Sequence, residues 1–310
     1  MKIVALAGGV GGAKLAYGLA SELQPGDLTV IVNTADDFQH LGLHISPDLD
    51  TVCYTLAGMA NPATGWGRRN ESWNFMAALG RLGGPGWFRI GDADLATHVE
   101  RTRRIGRGDP LSTIVREFCH SWGVQHSVLP MTDSAVATIV QSHEGDLDFQ
   151  EYFVHRKCEP KVRGFKFLGI ESARPAPGVA DALADADAIV ICPSNPLVSI
   201  APILGIPGVR NLVARGWAVA VSPIVGGRAI RGPAAKMYAE LGIEPSALSI
   251  AVQYRDIARG LVIDRSDASL QSEVVGIGLR VLVTQTLMRT LRDRRRLARD
   301  VLDFIRAELG

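Results

Sequence analysis

The sequence is poor in cysteine, and the spacing of its cysteines excludes two kinds of stabilised fold. Four cysteines occur among 310 residues, and none of them forms a Cys-x-x-Cys pair. A zinc site or a disulfide scaffold would require cysteines in pairs at regular spacing. Scattered thiols fit a reducing compartment instead, so we expect a cytoplasmic protein.

Excess charge and long hydrophobic runs are also lacking. The 33 lysines and arginines are balanced by 32 acidic residues, which leaves a net charge of +1. A nucleic-acid binder would carry a strongly basic surface, so we expect no nucleic-acid partner. A membrane span needs roughly 20 apolar residues, and the best candidate, residues 197–206, is interrupted by Ser199 and Pro202. We therefore expect no membrane segment.

Short apolar runs recur along the chain with helical patterns between them. This alternation is typical of an α/β protein in which helices cover both faces of a mostly parallel sheet. The predicted strands are residues 2–7, 28–33, 137–141, 165–170, 188–192 and 218–222. We predict one folded unit over residues 1–310 with a helical insertion at about 50–125. An amphipathic helix is predicted over residues 287–309, with its arginine run on the solvated face.

A glycine-rich segment joins the first predicted strand to the first predicted helix, and it consists of Gly8, Gly9, Gly11, Gly12 and Lys14 with the residues between them. Glycine permits tight turns and close ligand approach, and the N–H groups at a helix start attract phosphate. The segment is not a P-loop, and Lys14 stands where a dinucleotide fingerprint has its third glycine. We predict that the segment binds phosphate, with Lys14 at an exposed loop–helix junction. The alternative is a tight turn needed only for packing.

Acidic residues cluster after the second predicted strand, in residues 33–37 and again in residues 46–51. Loops after the carboxyl ends of parallel strands are where such sheets bind ligands. Mg²⁺ prefers oxygen ligands and often uses one or two carboxylates together with phosphate oxygens. We predict Asp48 and Asp50 as metal ligands and catalytic residues. The alternative for Asp48 is a cap on the helix that follows.

Six stretches of the sequence together resemble the 2-phospho-L-lactate transferases of coenzyme F420 biosynthesis. Each stretch alone is a weak signal, but they occur in the family's order from residue 3 to about residue 240. They are Gly8-Gly9-Val10-Gly11-Gly12-Ala13-Lys14, Asn33-Thr34-Ala35-Asp36-Asp37, Ser46-Pro47-Asp48-Leu49-Asp50-Thr51 with Tyr54-Thr55-Leu56, Gly91-Asp92-Ala93-Asp94-Leu95-Ala96-Thr97-His98, Pro193-Ser194-Asn195-Pro196 and Ser222-Pro223-Ile224-Val225-Gly226-Gly227.

The resemblance implies a Rossmann-like fold, a homodimer and a Mg²⁺-dependent transfer. In that reaction the ribityl hydroxyl of the deazaflavin Fo attacks a guanosine diphospho-ester, takes up a phospholactyl, phosphoenolpyruvyl or phosphoglyceryl group, and releases GMP. The residues assigned to the donor are Gly8, Gly9, Gly11, Gly12, Lys14, Ser194 and Asn195. The residues assigned to the deazaflavin are Asn33, Thr34, Asp36, Asp37, Asp50 and Arg89.

Two positions depart from the family pattern, because Ala93 stands where arginine is usual and Ser134 where a second acid is usual. Local donor contacts are therefore expected to differ.

His98 could act as a base or pack as a structural histidine, and we assign it no catalytic role. Selectivity for guanosine is expected near Asn195 and Arg231, because backbone amides and a lysine cannot read a base.

Two other functions share part of this pattern. A family of nucleotide-sugar-binding regulatory proteins resembles the transferases in the glycine loop and the paired aspartates, and would bind without catalysis. Residues 47–51 together with residues 96–98 match the transferases and favour the enzyme. A nicotinamide-dependent oxidoreductase is the third hypothesis, which binding of NADH would test. It is weakened because Asn33 and Thr34 stand where one acid would bond a ribose.

Overall fold

The computed structural model describes residues 1–229 and 232–310, and a parallel sheet forms its centre. Numbered along the chain, the strands of this sheet are β1 (Ile3–Ala7), β2 (Leu28–Val32), β5 (Ser127–Pro130), β9 (Ala188–Ile191), β10 (Ala218–Val221), β13 (Gly260–Asp264) and β14 (Arg280–Thr284). Their spatial order is β14-β13-β10-β9-β1-β2-β5, and every pair is parallel. The order reverses between β1 and β9, where sheets of this kind bind ligands.

Both faces of the central sheet are buried, which explains why its strands are continuous apolar runs. Successive side chains of a strand point to opposite faces. Leu6, Ile31 and Ile191 belong to the core on one face, and Ala5 and Val30 to the core on the other. The predicted α/β fold with a mostly parallel sheet between two helical layers is confirmed.

Two predicted strands lie outside the central sheet, which corrects the sequence-based topology. β6 (Ala137–Ser142) and β8 (Val162–Leu168) pair antiparallel, and β7 (Gly145–Asp148) extends this second sheet. The remaining strands form two antiparallel pairs, β3 (Phe38–His40) with β4 (Leu43–Ile45) and β11 (Ile224–Val225) with β12 (Arg228–Ala229). The central strands β5, β13 and β14 are absent from the prediction.

Helices connect these strands. The α-helices are α1 (Gly9–Glu22), α2 (Pro47–Leu56), α3 (Asn74–Arg81), α4 (Asp92–Ile105), α5 (Leu111–Ser121), α6 (Val179–Ala184), α7 (Ala201–Gly205), α8 (Val209–Arg215), α9 (Ala234–Glu240), α10 (Ala247–Tyr254), α11 (Gln271–Gly276) and α12 (Leu291–Leu309). Short π or 3₁₀ turns span Glu151–His155, Ile170–Ser172, Pro196–Ile200 and Arg265–Leu270. Helices α2 to α5 occupy the region of the predicted insertion, whereas the assignment of the whole chain to one domain stays a prediction.

In the described part of the chain, no single helix is long and apolar enough to cross a membrane. One pair, Pro196–Gly205 with Val209–Arg215, has that length and composition only when its two members are combined across a 96° bend.

The predicted C-terminal amphipathic helix is α12, and it holds α1 in place. Thr290 and Asp293 form a capping box at its start, and Leu297 and Val301 are buried on its inner face. The helix packs so closely on α1 that a Cβ atom on Gly18 would lie 2.2 Å from the Arg294 carbonyl oxygen. The glycine-rich start of α1 is thereby fixed against the sheet.

Candidate active site

A cavity of about 710 Å³, here called the main cavity, is bordered by segments that follow β1, β2, β9 and β10. The predicted site residues that line it are Gly8, Gly9, Gly11, Lys14, Asp36, Asp48, Asp50, Arg89, Ser194 and Asn195. Gly12, Asn33, Thr34 and Asp37 are not among its lining residues. The structure therefore brings most of the predicted residues to the point where the strand order reverses.

The first two glycine amides of the loop have partners within the protein. The Gly8 N–H donates to Ser194 Oγ at 2.9 Å, and the Gly9 N–H donates to the Asp48 carboxylate. Gly9 has a φ of +59°, a left-handed conformation that favours glycine. These contacts join the end of β1 to the segment after β9 and to α2.

Close packing requires glycine at three positions of the loop. A Cβ atom would lie 2.4 Å from Asp48 Oδ2 at Gly8, 2.3 Å from the Pro193 carbonyl oxygen at Gly11, and 2.3 Å from Ser194 Oγ at Gly12. Gly12 is buried and away from the main cavity, so packing alone accounts for it. Gly8 and Gly11 serve packing and line the cavity as well.

Lys14 lies deeper in the helix than the sequence predicts. It is half-buried in the second turn of α1, which begins at Gly9, rather than at an exposed junction. Its Nζ donates to the Met288 carbonyl oxygen at 3.0 Å, and the side chain lines the main cavity. The cation is therefore held between the C-terminal segment and the glycine-rich start of α1.

Asp48 faces the glycine loop. Helix α2 begins at Pro47, so Asp48 lies in its first turn. Its carboxylate accepts hydrogen bonds from Asn33 Nδ2 at 3.0 Å, from the Gly9 N–H and from Ser199. Burial raises the pKa of Asp48 to about 6 in spite of these hydrogen bonds. Because these partners lie outside α2, capping alone does not account for Asp48.

Asp50 faces a different set of partners. Positions two apart on a helix point to different sides, and Asp50 meets Arg101 of α4 rather than the glycine loop. Arg101 Nη1 donates to Asp50 Oδ2 at 3.1 Å, and Nη2 bonds Oδ1. Arg101 is 1% exposed. Burial lowers the pKa of Arg101, but Asp50, Tyr54 and Asp37 together raise it by more, so its guanidinium stays charged.

Helix α4 presents three polar side chains on one face. Asp94, His98 and Arg101 stand at positions i, i+4 and i+7, which share a side of a helix. His98 is 2% exposed, and its Nδ1 lies 3.7 Å from Asp50 Oδ2. Its Nε2 lies 3.4 Å from Asp94 Oδ2, and the Tyr54 hydroxyl donates to Asp94 Oδ1 at 2.7 Å. Burial raises the pKa of Asp94, but His98, Tyr54 and Arg101 together lower it by more, so the carboxylate is ionised.

Sequence reasoning assigns no role to Asp94 or Arg101. The signal that identifies them is the spacing of Asp94, His98 and Arg101 on one helical face. That spacing does not say what the face meets, since Asp50 lies 51 positions before Arg101 in the chain.

The paired aspartates after β2 point to different cavities. Asp36 lines the main cavity, and burial together with the nearby Asp48 raises its pKa well above the ordinary value. Asp37 lines a second cavity of about 790 Å³ with Thr34, and accepts hydrogen bonds from His44 at 3.0 Å and Ser46 at 2.7 Å. Of these residues assigned to the deazaflavin, Asp36 thus lines the main cavity and Thr34 and Asp37 line the second one, and the assignment itself stays a prediction.

The segment after β9 positions Ser194 and Asn195. Ser194 is buried and accepts the Gly8 N–H, as described above. Asn195 accepts the Leu197 N–H at 3.0 Å and so caps the turn Pro196–Ile200, and it lines the main cavity. The guanosine selectivity predicted near Asn195 also named Arg231, which lies outside the described residues.

One wall of the main cavity is aromatic. Its aromatic lining side chains include Trp66, Trp87, Phe88, Phe149 and Phe153. Arg89 is on the same wall, and its guanidinium lies 4.2 Å from the centre of the Trp73 ring. Such a wall suits the face of a flat aromatic ligand.

Comparison with known proteins finds close relatives over the whole length of the chain. The family model described as 2-phospho-L-lactate transferase CofD matches residues 3–277. A phosphoenolpyruvate transferase of Streptomyces griseus subsp. griseus is 40% identical, over 98% of this chain and 98% of that protein. A 2-phospho-L-lactate transferase of Methanopyrus kandleri is 42% identical, over 100% of this chain and 99% of that protein.

Among solved structures, a member of the upf0052 family from Bacillus halodurans is similar. Its TM-score is 0.62 at 14% identity, over 97% of this chain and 98% of that one. At this identity the likeness shows the fold alone.

Proposed function

The chain belongs to the family of the 2-phospho-L-lactate transferase CofD, and from this premise we propose a specific reaction for it. Its relatives place it in the phospholactate and phosphoenolpyruvate transferase class, which fits coenzyme F420 biosynthesis. In the proposed reaction the acceptor is the terminal ribityl hydroxyl of the deazaflavin Fo. The donor is a guanosine diphospho-ester of a three-carbon acid, and GMP is released.

The proposed step exchanges one phosphorus–oxygen bond for another. The acceptor hydroxyl oxygen bonds to the phosphorus that bears the three-carbon acid, and the bond from that phosphorus to the bridging diphosphate oxygen breaks. GMP leaves with the bonding electrons, and the hydroxyl proton passes to solvent or a base. Phosphoryl transfer of this type depends mostly on positioning and neutralisation of charge.

The glycine-rich start of α1 is the proposed site of the donor diphosphate. Val10 and Gly11 lie in the first turn of α1 and line the main cavity. The N–H groups of a first helical turn have no partner within the helix, and the helix dipole favours negative charge there. Lys14 adds a positive charge at the same wall of the cavity. These groups favour phosphate over an uncharged ligand.

The charges of the main cavity support a divalent metal. Its described lining residues include four aspartates but only Lys14 and Arg89 as lysine or arginine. Asp94 is ionised and Asp48 is largely ionised at neutral pH, so a diphosphate placed beside them would be repelled, and a bound cation would offset that repulsion. We propose Mg²⁺ as this ion; the sequence predicts Asp48 and Asp50 as its ligands, and turnover of the two asparagine variants decides whether Asp48 instead only positions the glycine loop. When bound, the ion would neutralise charge on the transferred phosphoryl group.

The aromatic wall is the proposed site of the acceptor ring. A deazaflavin is flat and conjugated, so ring faces and edges such as those of Trp87, Phe88 and Phe149 are suitable partners. Arg89 and Asp50, which the resemblance assigns to the deazaflavin, also line this cavity. A homodimer and a cytoplasmic location complete the proposal, and sedimentation analysis of the purified chain would test the dimer.

A single observation carries this proposal: one cavity joins the glycine-rich start of α1, a group of carboxylates and an aromatic wall. The test is incubation of the protein with Fo, Mg²⁺ and each of the phospholactyl, phosphoenolpyruvyl and phosphoglyceryl guanosine donors. Mass spectrometry should show the phosphodiester of Fo with at least one donor, together with GMP. Matched reactions with EDTA or an adenosine donor should give much less product. No product with any donor would refute the proposed reaction.

A further inference from the structure

Lys14 is held by a segment that follows the edge strand β14. Its Nζ donates to the Met288 carbonyl oxygen at 3.0 Å, which ties the cation to residues 284–288. Two residues before Met288, Thr286 donates to the carboxylate of Asp264. We propose that Asp264 is a positioning residue: by holding the segment after β14 it fixes the Met288 carbonyl and, through it, the place of Lys14. The inference rests on the proposed function for the task that it gives to Lys14, which is to bind the donor phosphates.

The sheet brings Asp264 and Thr286 together. Asp264 is the last residue of β13, and its partner in the parallel pairing with β14 is Thr284. The chain that leaves β14 therefore passes beside the Asp264 side chain. Oδ2 of Asp264 accepts the Thr286 N–H at 2.7 Å and the Thr286 hydroxyl at 3.1 Å. Both residues are 3% exposed, and hydrogen bonds are stronger in such buried surroundings than in water.

The carboxylate of Asp264 is fully used by these and two further donors. Its Oδ1 accepts the Ser266 N–H at 3.0 Å and the Ser266 hydroxyl at 2.8 Å, which joins it to the turn Arg265–Leu270. Burial raises the pKa of Asp264, but the four hydrogen bonds together lower it by more, so the carboxylate is ionised. Two donors on each oxygen use all four of its lone-pair sites. Asp264 is not among the residues that line the main cavity, so it acts there through Thr286 and the segment that follows.

Other contacts tie the segment to α12 rather than to the sheet. Thr284 donates to Asp300 Oδ2 at 2.6 Å, and the Arg289 N–H donates to Asp293 Oδ2 at 3.1 Å. Both of these acids belong to α12. Asp264 holds the stretch between these two points, and it alone of the three acids belongs to the sheet. Removal of its carboxylate should therefore loosen the middle of the segment and leave its ends attached.

Acetylation of lysines, followed peptide by peptide with mass spectrometry, tests the inference on the full-length protein without any substrate. In Asp264→Ala, Lys14 should be acetylated at least about 3-fold faster than in wild type, the lower end for one lost hydrogen bond. Lys236 is also half-buried, and its ammonium lies 2.7 Å from Glu240. It should react at the wild-type rate, which separates a local change from a general loosening of the fold. Unchanged acetylation of Lys14, or an equal rise at Lys236, would overturn the proposal.

Two further variants make this experiment specific. Ser266→Ala is the matched control, because it removes a hydrogen bond from the other oxygen of Asp264 and should leave the acetylation of Lys14 unchanged. Thr286→Val removes only the hydroxyl bond to Asp264, so it is the milder variant should Asp264→Ala not fold. A rise of about 2-fold at Lys14 is expected in Thr286→Val. Wild-type acetylation in Thr286→Val, or the same rise in Ser266→Ala, would contradict the proposed path.

Binding of inorganic pyrophosphate in the presence of Mg²⁺, measured by calorimetry, tests the task given to Lys14. Lys14→Ala should weaken binding by about 10-fold and Asp264→Ala by about 3-fold or more. The double variant should bind about as weakly as Lys14→Ala alone, because both changes act on one cation. Losses that multiply in the double variant would overturn the proposal. If Asp264→Ala speeds the acetylation of Lys14 but Lys14→Ala binds pyrophosphate like wild type, Asp264 positions Lys14 and the proposed donor site is wrong.

Discussion

Asp50 and Arg101 form a buried ion pair that joins α2 to α4. Arg101 Nη1 and Nη2 each donate to a different oxygen of the Asp50 carboxylate. A guanidinium matches a carboxylate in this two-pronged way, which fixes orientation as well as distance. Because Asp94 and His98 share a helical face with Arg101, the pair also determines which part of α4 faces Asp50.

Arg101→Met should destabilise the fold strongly, because it leaves the Asp50 carboxylate buried without its cation. Breaking a buried pair by removing one partner costs about 3–5 kcal/mol in the free energy of unfolding. Arg103→Met is the matched control, since Arg103 pairs with Glu100 and its side chain is 44% exposed. Its cost should stay within about 0.5 kcal/mol. Urea denaturation followed by circular dichroism measures both, and similar costs for the two variants would contradict this reading of the pair.

The fold was largely predictable where the signal is local. β1 and β2 are uninterrupted apolar runs, and the glycine-rich segment follows β1 directly in the chain. Sequence could not assign β6 and β8 to a separate sheet, because strand pairing depends on contacts distant in the chain. Strands β13 and β14 have 5 residues each and end in the polar residues Asp264 and Thr284. Apolar runs this short are easily taken for parts of helices or loops.

The site could be predicted from sequence where its residues are neighbours in the chain. Gly8, Gly11 and Asp48 follow strands or open helices, and all three line the main cavity. The partners of Asp50 were not predictable, because a helical spacing shows that Asp94 and Arg101 share a face but not which element the face meets. That information arises only when α4 docks on α2.

Gly11→Ala should destabilise the protein because the space for a side chain is filled. A Cβ atom at this position would lie 2.3 Å from the Pro193 backbone oxygen, which cannot move as a flexible side chain would. Overpacking of this kind costs about 1–3 kcal/mol. Gly80→Ala in α3 is the matched control, because its Cβ would meet nothing within 4 Å, and it should be neutral or stabilise by up to about 1 kcal/mol. Thermal melts measure both variants, and a shift of their midpoint temperatures in the same direction would contradict the packing argument.

Asp48→Asn should change the pH dependence of stability. Burial raises the pKa of Asp48 from 3.8 to about 6, so the folded state holds its proton more tightly than the unfolded chain does. The resulting stabilisation is fully present below about pH 3.8 and is lost as the pH rises through about 6. Asparagine stays neutral throughout, so the stability of the variant relative to wild type should rise between pH 4 and pH 7, by about 1–3 kcal/mol.

Urea denaturation in metal-free buffer at pH 4, 5.5 and 7 measures this difference. Asp256→Asn serves as the control, because Asp256 is exposed at 71% of its side chain and the variant should follow the wild-type pH profile. A constant difference between Asp48→Asn and wild type over this range would contradict a raised pKa at Asp48.

Steady-state turnover of Asp48→Asn and Asp50→Asn across a Mg²⁺ titration separates metal binding from loop positioning. Losing one group that stabilises a transition state lowers turnover by roughly 10²–10³-fold, and we expect a loss of that size in both variants. The two should differ in their response to metal. Asp50→Asn should regain part of its turnover at high Mg²⁺, because a weakened ligand set can still be filled by mass action.

Asp48→Asn should regain little turnover at high Mg²⁺, because the carboxylate that it removes is bonded to Asn33, to Ser199 and to the Gly9 N–H at the start of α1. Recovery of both variants by Mg²⁺ would instead assign both aspartates to the metal, as the sequence predicts. If Asp48 only stabilised the start of α2, asparagine would replace it almost without loss, since the two residues cap helices about equally well.

Thermal melts of both variants separate a chemical loss from unfolding, which matters most for Asp50→Asn because it leaves Arg101 without its carboxylate. Near-wild-type turnover in both folded variants would refute both assignments, Asp50 as a metal ligand and Asp48 as the residue that positions the glycine loop.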